Sequence, residues 1–127
     1  MGAIPKGKTI PVYTSAGDCA CFLAFPYLFS MLGEWIGWVT PDRQVFDVDG
    51  MYVGWLTDEP RILRRKTYDA PLPHKTPPVT PPKFRAPSTV PLPPMMAELP
   101  FEFLDVLLHE PERLHTTDTG ELKPDMD

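Results

Sequence analysis

Cysteine is nearly absent: Cys19 and Cys21 are the only two in 127 residues. Two thiols this close along the chain do not bridge comfortably, and without a nearby histidine or a second pair they make no zinc site. They read as free buried thiols in a reducing compartment, sharing one face of a strand. A glycine-rich phosphate loop is also lacking, and no Ser/His/Asp set stands out from scattered polar residues. Basic charge is not in excess: the net charge is −5, which argues against generic nucleic-acid binding. No apolar stretch directly follows Lys6 and Lys8, so no secretory signal is expected, and Lys6 stands where a myristoylation motif needs Ser or Thr. The expectation is a cytoplasmic protein without catalytic residues, cofactor or metal.

Long apolar runs are equally scarce. Cys19 to Val39 approaches the roughly 20 residues that cross a bilayer, but Pro26, Gly33 and Glu34 interrupt it. What fills this region instead is a repeat. Val12 to Leu23, Leu28 to Val39 and Val45 to Leu56 align without a gap. Val12, Leu28 and Val45 coincide; so do Tyr13, Phe29 and Phe46, then Gly17, Gly33 and Gly50, then Phe22, Trp38 and Trp55. The register recurs with Asp47 and Asp49 inside it, which decides against a membrane helix.

Each unit reads as a β-hairpin. Asp49-Gly50 is a strong hairpin-turn signal, because such turns need positive φ. Breakers at Pro26, Thr40-Pro41-Asp42 and Asp58-Glu59-Pro60 separate the units. Strict alternation places Ala20/Phe22, Ile36/Trp38 and Val53/Trp55 on one face of the second strands. Cys19/Cys21/Leu23, Trp35/Gly37/Val39 and Tyr52/Gly54/Leu56 fall on the other. Both faces are largely apolar, so both are expected to be covered. Gly37 and Gly54 are read as leaving room for the rings of Trp35 and Tyr52. A fourth unit starts at Ile62-Leu63-Arg64 and breaks off; Gly2 to Lys6 is a candidate for its second strand, which closes a ring and removes open edges. Asp47-Val48-Asp49-Gly50 resembles the start of a calcium loop but lacks the remaining ligands, so it is read as a turn. His109-Glu110 and His115 lack zincin spacing, and Pro111 breaks the helix such a motif needs.

The pattern aromatic-x3-Gly-x-aromatic-x-Gly-aromatic, in hairpin units followed by a Pro- and Lys/Arg-rich tail, resembles the four-fold beta flower domain family. The resemblance covers about residues 9–66, and Gly33 to Leu56 is its most specific part. It implies four pseudo-symmetric hairpins and no known activity. Unit one departs from the pattern, with Cys19 and Cys21 in place of the aromatic and the glycine. The predicted fold is all-β: a meander of about four hairpins, barrel-like if the ring closes, over residues 1–68.

Residues 69–96 read as a basic, proline-rich extended arm. Ten of the 18 prolines lie between Pro71 and Pro94, and seven of the twelve Lys and Arg between Arg61 and Arg85. Residues 97–127 read as an acidic tail with an amphipathic helix over about 100–110, since Phe101, Leu104 and Leu108 share a stripe widened by Phe103 and Leu107. A helix this short is unstable alone, so it docks on its own domain or on a partner; the arm's length favours a partner. The function expected is a non-catalytic interaction or assembly subunit, bound to a protein partner or host complex or to a second copy. The candidate contact residues are Phe101, Phe103, Leu104, Leu107, Leu108, the apolar turn Met31-Leu32, and Arg61, Arg64, Arg65 and Lys66. The alternatives are a peripheral subunit at a membrane surface, using Met31-Leu32 and the same basic cluster, and a small-ligand or enzymatic module on the Trp35/Tyr52 face.

Overall fold

A computed structural model describes residues 7–67 and 73–117. Eight strands form one antiparallel sheet in chain order: β1 (Ile10–Tyr13), β2 (Cys19–Ala24), β3 (Tyr27–Ser30), β4 (Trp35–Val39), β5 (Gln44–Asp47), β6 (Tyr52–Leu56), β7 (Ile62–Arg65) and β8 (Phe103–Asp105). They pair as four hairpins, the first three being the aligned units. Gly17, Gly33 and Gly50 turn them with φ of 95°, 85° and 91°, a region that strains any residue with a Cβ.

The strands do not alternate strictly. Each of the first three hairpins carries a β-bulge, between Val12 and Tyr13, Leu28 and Phe29, and Val45 and Phe46. The three bulges occupy equivalent places in the repeat. Tyr13, Phe29 and Phe46 therefore face Cys19, Trp35 and Tyr52, while Val12, Leu28 and Val45 face Cys21, Gly37 and Gly54. The extra residue flips the strand's later positions to the other face. Trp35 joins Trp38, and Tyr52 joins Trp55, on an aromatic face with Phe22, Phe29 and Phe46. Val12, Cys21, Leu23, Leu28, Val39, Val45, Leu56 and Ile62 build an aliphatic core on the opposite face. This corrects the strict alternation and separates Cys19 from Cys21. It also changes the role of the strand glycines. A Cβ on Gly37 would lie 2.6 Å from the Phe46 carbonyl oxygen, and one on Gly54 2.2 Å from that of Leu63. These glycines admit the neighbouring strand's backbone, not a ring.

The fourth hairpin is completed from the C-terminal side. Leu63, Arg64 and Arg65 of β7 pair with Asp105, Leu104 and Phe103, and the Lys66 N–H donates to the Glu102 carbonyl at 2.8 Å. The arm is thus the long loop of the fourth hairpin. Gly2 to Lys6, the strand proposed for that place, lies outside the described residues. The expected helix over 100–110 is instead β8 followed by one helical turn, α1 (Val106–His109), and a 3₁₀ turn, Pro111–Arg113. An unpaired edge on β7 attracts a strand more strongly than a three-turn helix holds itself together.

Both faces are covered, as their composition demands. Val106, Leu107 and Leu114, from α1 and beyond, fill the aliphatic face. The arm lies over the turns and aromatic face of the other units, in reverse order. At unit three the Lys75 N–H donates to the Gly50 carbonyl at 2.9 Å and the Tyr52 N–H to that of Pro73 at 3.1 Å. At unit two the Tyr27 hydroxyl donates to the Val79 carbonyl at 2.7 Å, and the Phe84 ring stacks on Phe29 with centroids 4.2 Å apart. At unit one the Tyr13 hydroxyl donates to the Pro91 carbonyl at 2.6 Å.

Among the described residues the sheet's two ends meet without a ladder. The Tyr13 N–H donates to the Pro60 carbonyl at 3.0 Å. Asp105 Oδ2 accepts the Ser15 N–H and hydroxyl, each at 2.6 Å, and Arg61 Nη1 donates to Ser15 Oγ at 2.8 Å. A buried carboxylate needs such donors, because a polar group taken out of water without partners is costly.

Candidate functional site

The candidate contact residues fall into three environments. Arg61 is only 3% exposed, and its two Nη groups donate to Ser15, Glu59 and the Ala97 carbonyl. Leu107 is buried in the core, and Arg64 pairs with Glu110 at 3.0 Å. These three are engaged within the fold: Arg61 and Leu107 are buried, and Arg64 is tied to Glu110. Leu104 is half-buried in β8, and Leu108 is exposed on α1.

Arg65, Lys66, Phe101 and Phe103 converge on one corner. The Lys66 ammonium sits 4.3 Å from the Phe101 ring centre and the Arg65 guanidinium 5.7 Å from that of Phe103. Phe103 meets Trp55 edge-on at 5.3 Å. Cations over ring faces are attracted by the ring quadrupole, so part of this basic charge is already engaged. The Trp35/Tyr52 face leaves a hollow of about 240 Å³ beside this corner, lined by Gln44, Tyr52, Trp55, Arg64, Arg65 and Pro73.

Met31 and Leu32 form the third environment, the tip of unit two. Leu32 is 83% exposed. The turn beneath them is closely tied. Ser30 Oγ accepts the N–H groups of Leu32 and Glu34 at 3.1 and 3.2 Å, and the Gly33 N–H donates to the Ser30 carbonyl at 2.9 Å. The arm completes the tip. A Cβ on Gly33 would come within 2.5 Å of the Phe84 carbonyl oxygen, so the glycine serves both the turn and the arm's approach. Met31 and Leu32 then line an open hollow of about 650 Å³ with Lys83, Phe84, Arg85 and Ala86. The lining carries two cations and no acid. The sequence pointed to Met31-Leu32; Lys83 and Arg85 were missed because only the docking of Phe84 brings them there. The lone aromatic of a proline tract was the available signal.

Neither thiol suits nucleophilic chemistry at neutral pH. Burial pushes the Cys21 thiol far up, with Cys19 adding to it, and burial also raises Cys19; the nucleophile is the thiolate. Asp47 Oδ1 accepts the N–H groups of Asp49 and Met51 at 2.8 and 3.0 Å, the work of a turn residue. Among the described residues no helix is long and apolar enough to cross a membrane.

No curated protein and no solved structure matches the chain. The profile of the 4-fold beta flower protein matches residues 10–101, which take in the first seven strands and the whole arm. With four hairpins in one sheet and the arm bound across their turns, this chain belongs to the 4-fold beta flower family.

Proposed function

We propose that this chain is a non-catalytic interaction module that presents the tip of unit two to a protein partner. The observation that carries the reading is the exposed Met31-Leu32 pair on a tied turn, flanked by Lys83 and Arg85. Exposed apolar side chains gathered at one place mark contact sites, and the flanking cations favour a partner segment that is apolar and acidic. The arm and the C-terminal segment, the sequence's candidates for partner contact, are engaged with the chain's own sheet, and in this reading the arm acts by shaping the tip. Two free thiols accord with a reducing compartment.

The test is co-purification from the native cells using the full chain. Leu32→Ser and the pair Lys83→Glu/Arg85→Glu should each abolish recovery of a discrete partner without lowering the melting temperature. Leu92→Ser, at another exposed apolar position, should leave recovery intact. Equal recovery by all variants refutes the proposal. The same apolar and basic composition suits an anionic membrane surface as a second reading. Salt-sensitive flotation with phosphatidylserine vesicles, lost in Leu32→Ser, would favour that reading over a protein partner.

A further inference from the structure

The turn of unit three and the end of the C-terminal segment bring three ligand-type side chains together. His115 Nε2 lies 3.5 Å from Asp47 Oδ2 and 3.8 Å from Asp49 Oδ2. The potential ligand atoms of the three residues all lie within 4.8 Å of one another.

The hydrogen bonds around them fix which atoms face inward. Asp47 Oδ1 is held by two backbone N–H groups, so Oδ2 is the oxygen presented to His115. His115 Nδ1 lies 3.1 Å from the Thr116 carbonyl oxygen. A carbonyl only accepts, so Nδ1 carries the hydrogen. Nε2 then faces two carboxylate oxygens, and one imidazole nitrogen with two carboxylate oxygens turned toward a common point is a ligand set for a divalent cation. Oriented carboxylates, and an imidazole anchored through its other nitrogen to a backbone carbonyl, are the usual supports of metal ligands.

The spacing fits the same conclusion. Ligand atoms around tetrahedral zinc, each about 2.1 Å from the metal, stand about 3.4 Å apart. That is close to the two His115 separations and longer than a good charged hydrogen bond. The histidine shifts the preference from calcium and magnesium, which take oxygen ligands, toward zinc and its neighbours. Asp47 is nearly buried while Asp49 is open to solvent, leaving room for water at a remaining position.

We propose that Asp47, Asp49 and His115 form a binding site for a divalent transition cation, with zinc as the representative ion. The ion joins the third hairpin turn to the segment whose Leu114 plugs the aliphatic core. Its binding fastens the chain's distant C-terminal region onto the sheet. Asp47–Gly50 alone reads as a turn; His115 supplies the ligand that the local sequence lacks.

The test is titration of the chelator-treated full chain with zinc chloride at pH 7.5, by calorimetry and by thermal melting. We expect saturable binding of one ion per chain and a higher melting temperature with zinc. His115→Ala and Asp49→Asn should lose both effects, whereas His109→Ala, whose side chain lies outside the cluster, should keep them. Asp49 is solvent-exposed, so its variant folds even if His115→Ala does not. Absence of saturable binding, or binding that survives both ligand substitutions, overturns the proposal. Lowered stability of His115→Ala without zinc, in a wild-type chain that binds no zinc, likewise overturns it and leaves an ion-paired latch.

Discussion

Gly33 shows how one residue serves two purposes. Its φ of 85° suits the turn, and its bare Cα admits the Phe84 carbonyl. Gly33→Ala should destabilise the chain by about 2–3 kcal/mol, combining backbone strain with a displaced arm. Chemical denaturation with the linear-extrapolation slope unchanged would measure this. The charged residues at the sheet's seam set a pH limit. Burial alone would raise the Glu59 carboxyl, but hydrogen bonds from Thr57, the Arg61 charge beside it and the Ala97 N–H together lower it below its usual 4.5. A depressed carboxyl contributes stability above its unfolded pKa and loses it as pH falls through the folded value. Stability should therefore decline below about pH 4.5, and Glu59→Gln should flatten that part of the profile while being less stable at pH 7.

Elements differ in how much of them the sequence discloses. The hairpins were legible because Asp49-Gly50 and its equivalents carry a local signal. The faces were not, because a bulge adds one residue without any compositional mark; Trp35-Ile36-Gly37-Trp38 reads equally well as plain alternation. The strand β8 was missed for a different reason. Phe103 and Leu104 share a helical stripe with Leu108, and only the unpaired edge of β7, far away along the chain, turns them into a strand. The arm's seat depends on Phe84, stacked on Phe29. Phe84→Ala should cost about 2 kcal/mol, less than a fully buried phenylalanine, and should lower the melting temperature by roughly 10 °C. It should also disperse Lys83 and Arg85 from the tip, so partner recovery should fall with it. An unchanged melt would place the arm off the sheet.

At the scale of the whole molecule, the proline-rich stretch is not a tether between a domain and a distant helix. It is the loop of the fourth hairpin, and the chain after it supplies an edge strand and part of the core. A chain ending at residue 94 would lack β8 and the plug of Val106, Leu107 and Leu114. It should show no cooperative thermal transition, whereas the full chain should unfold in one step. The sequence indicated that both faces of the sheet need covers; it left open that the same chain provides them, because docking surfaces have no local signature. The candidate contact site was legible only where it is local, at Met31-Leu32, and not where folding assembles it. The most direct measurement of this architecture is a nuclear Overhauser contact between the Phe84 and Phe29 rings within one chain in solution. A strong contact is expected, consistent with centroids 4.2 Å apart, together with ring-shifted Phe84 resonances. Phe84 signals at random-coil positions, with no contact to Phe29, would contradict it.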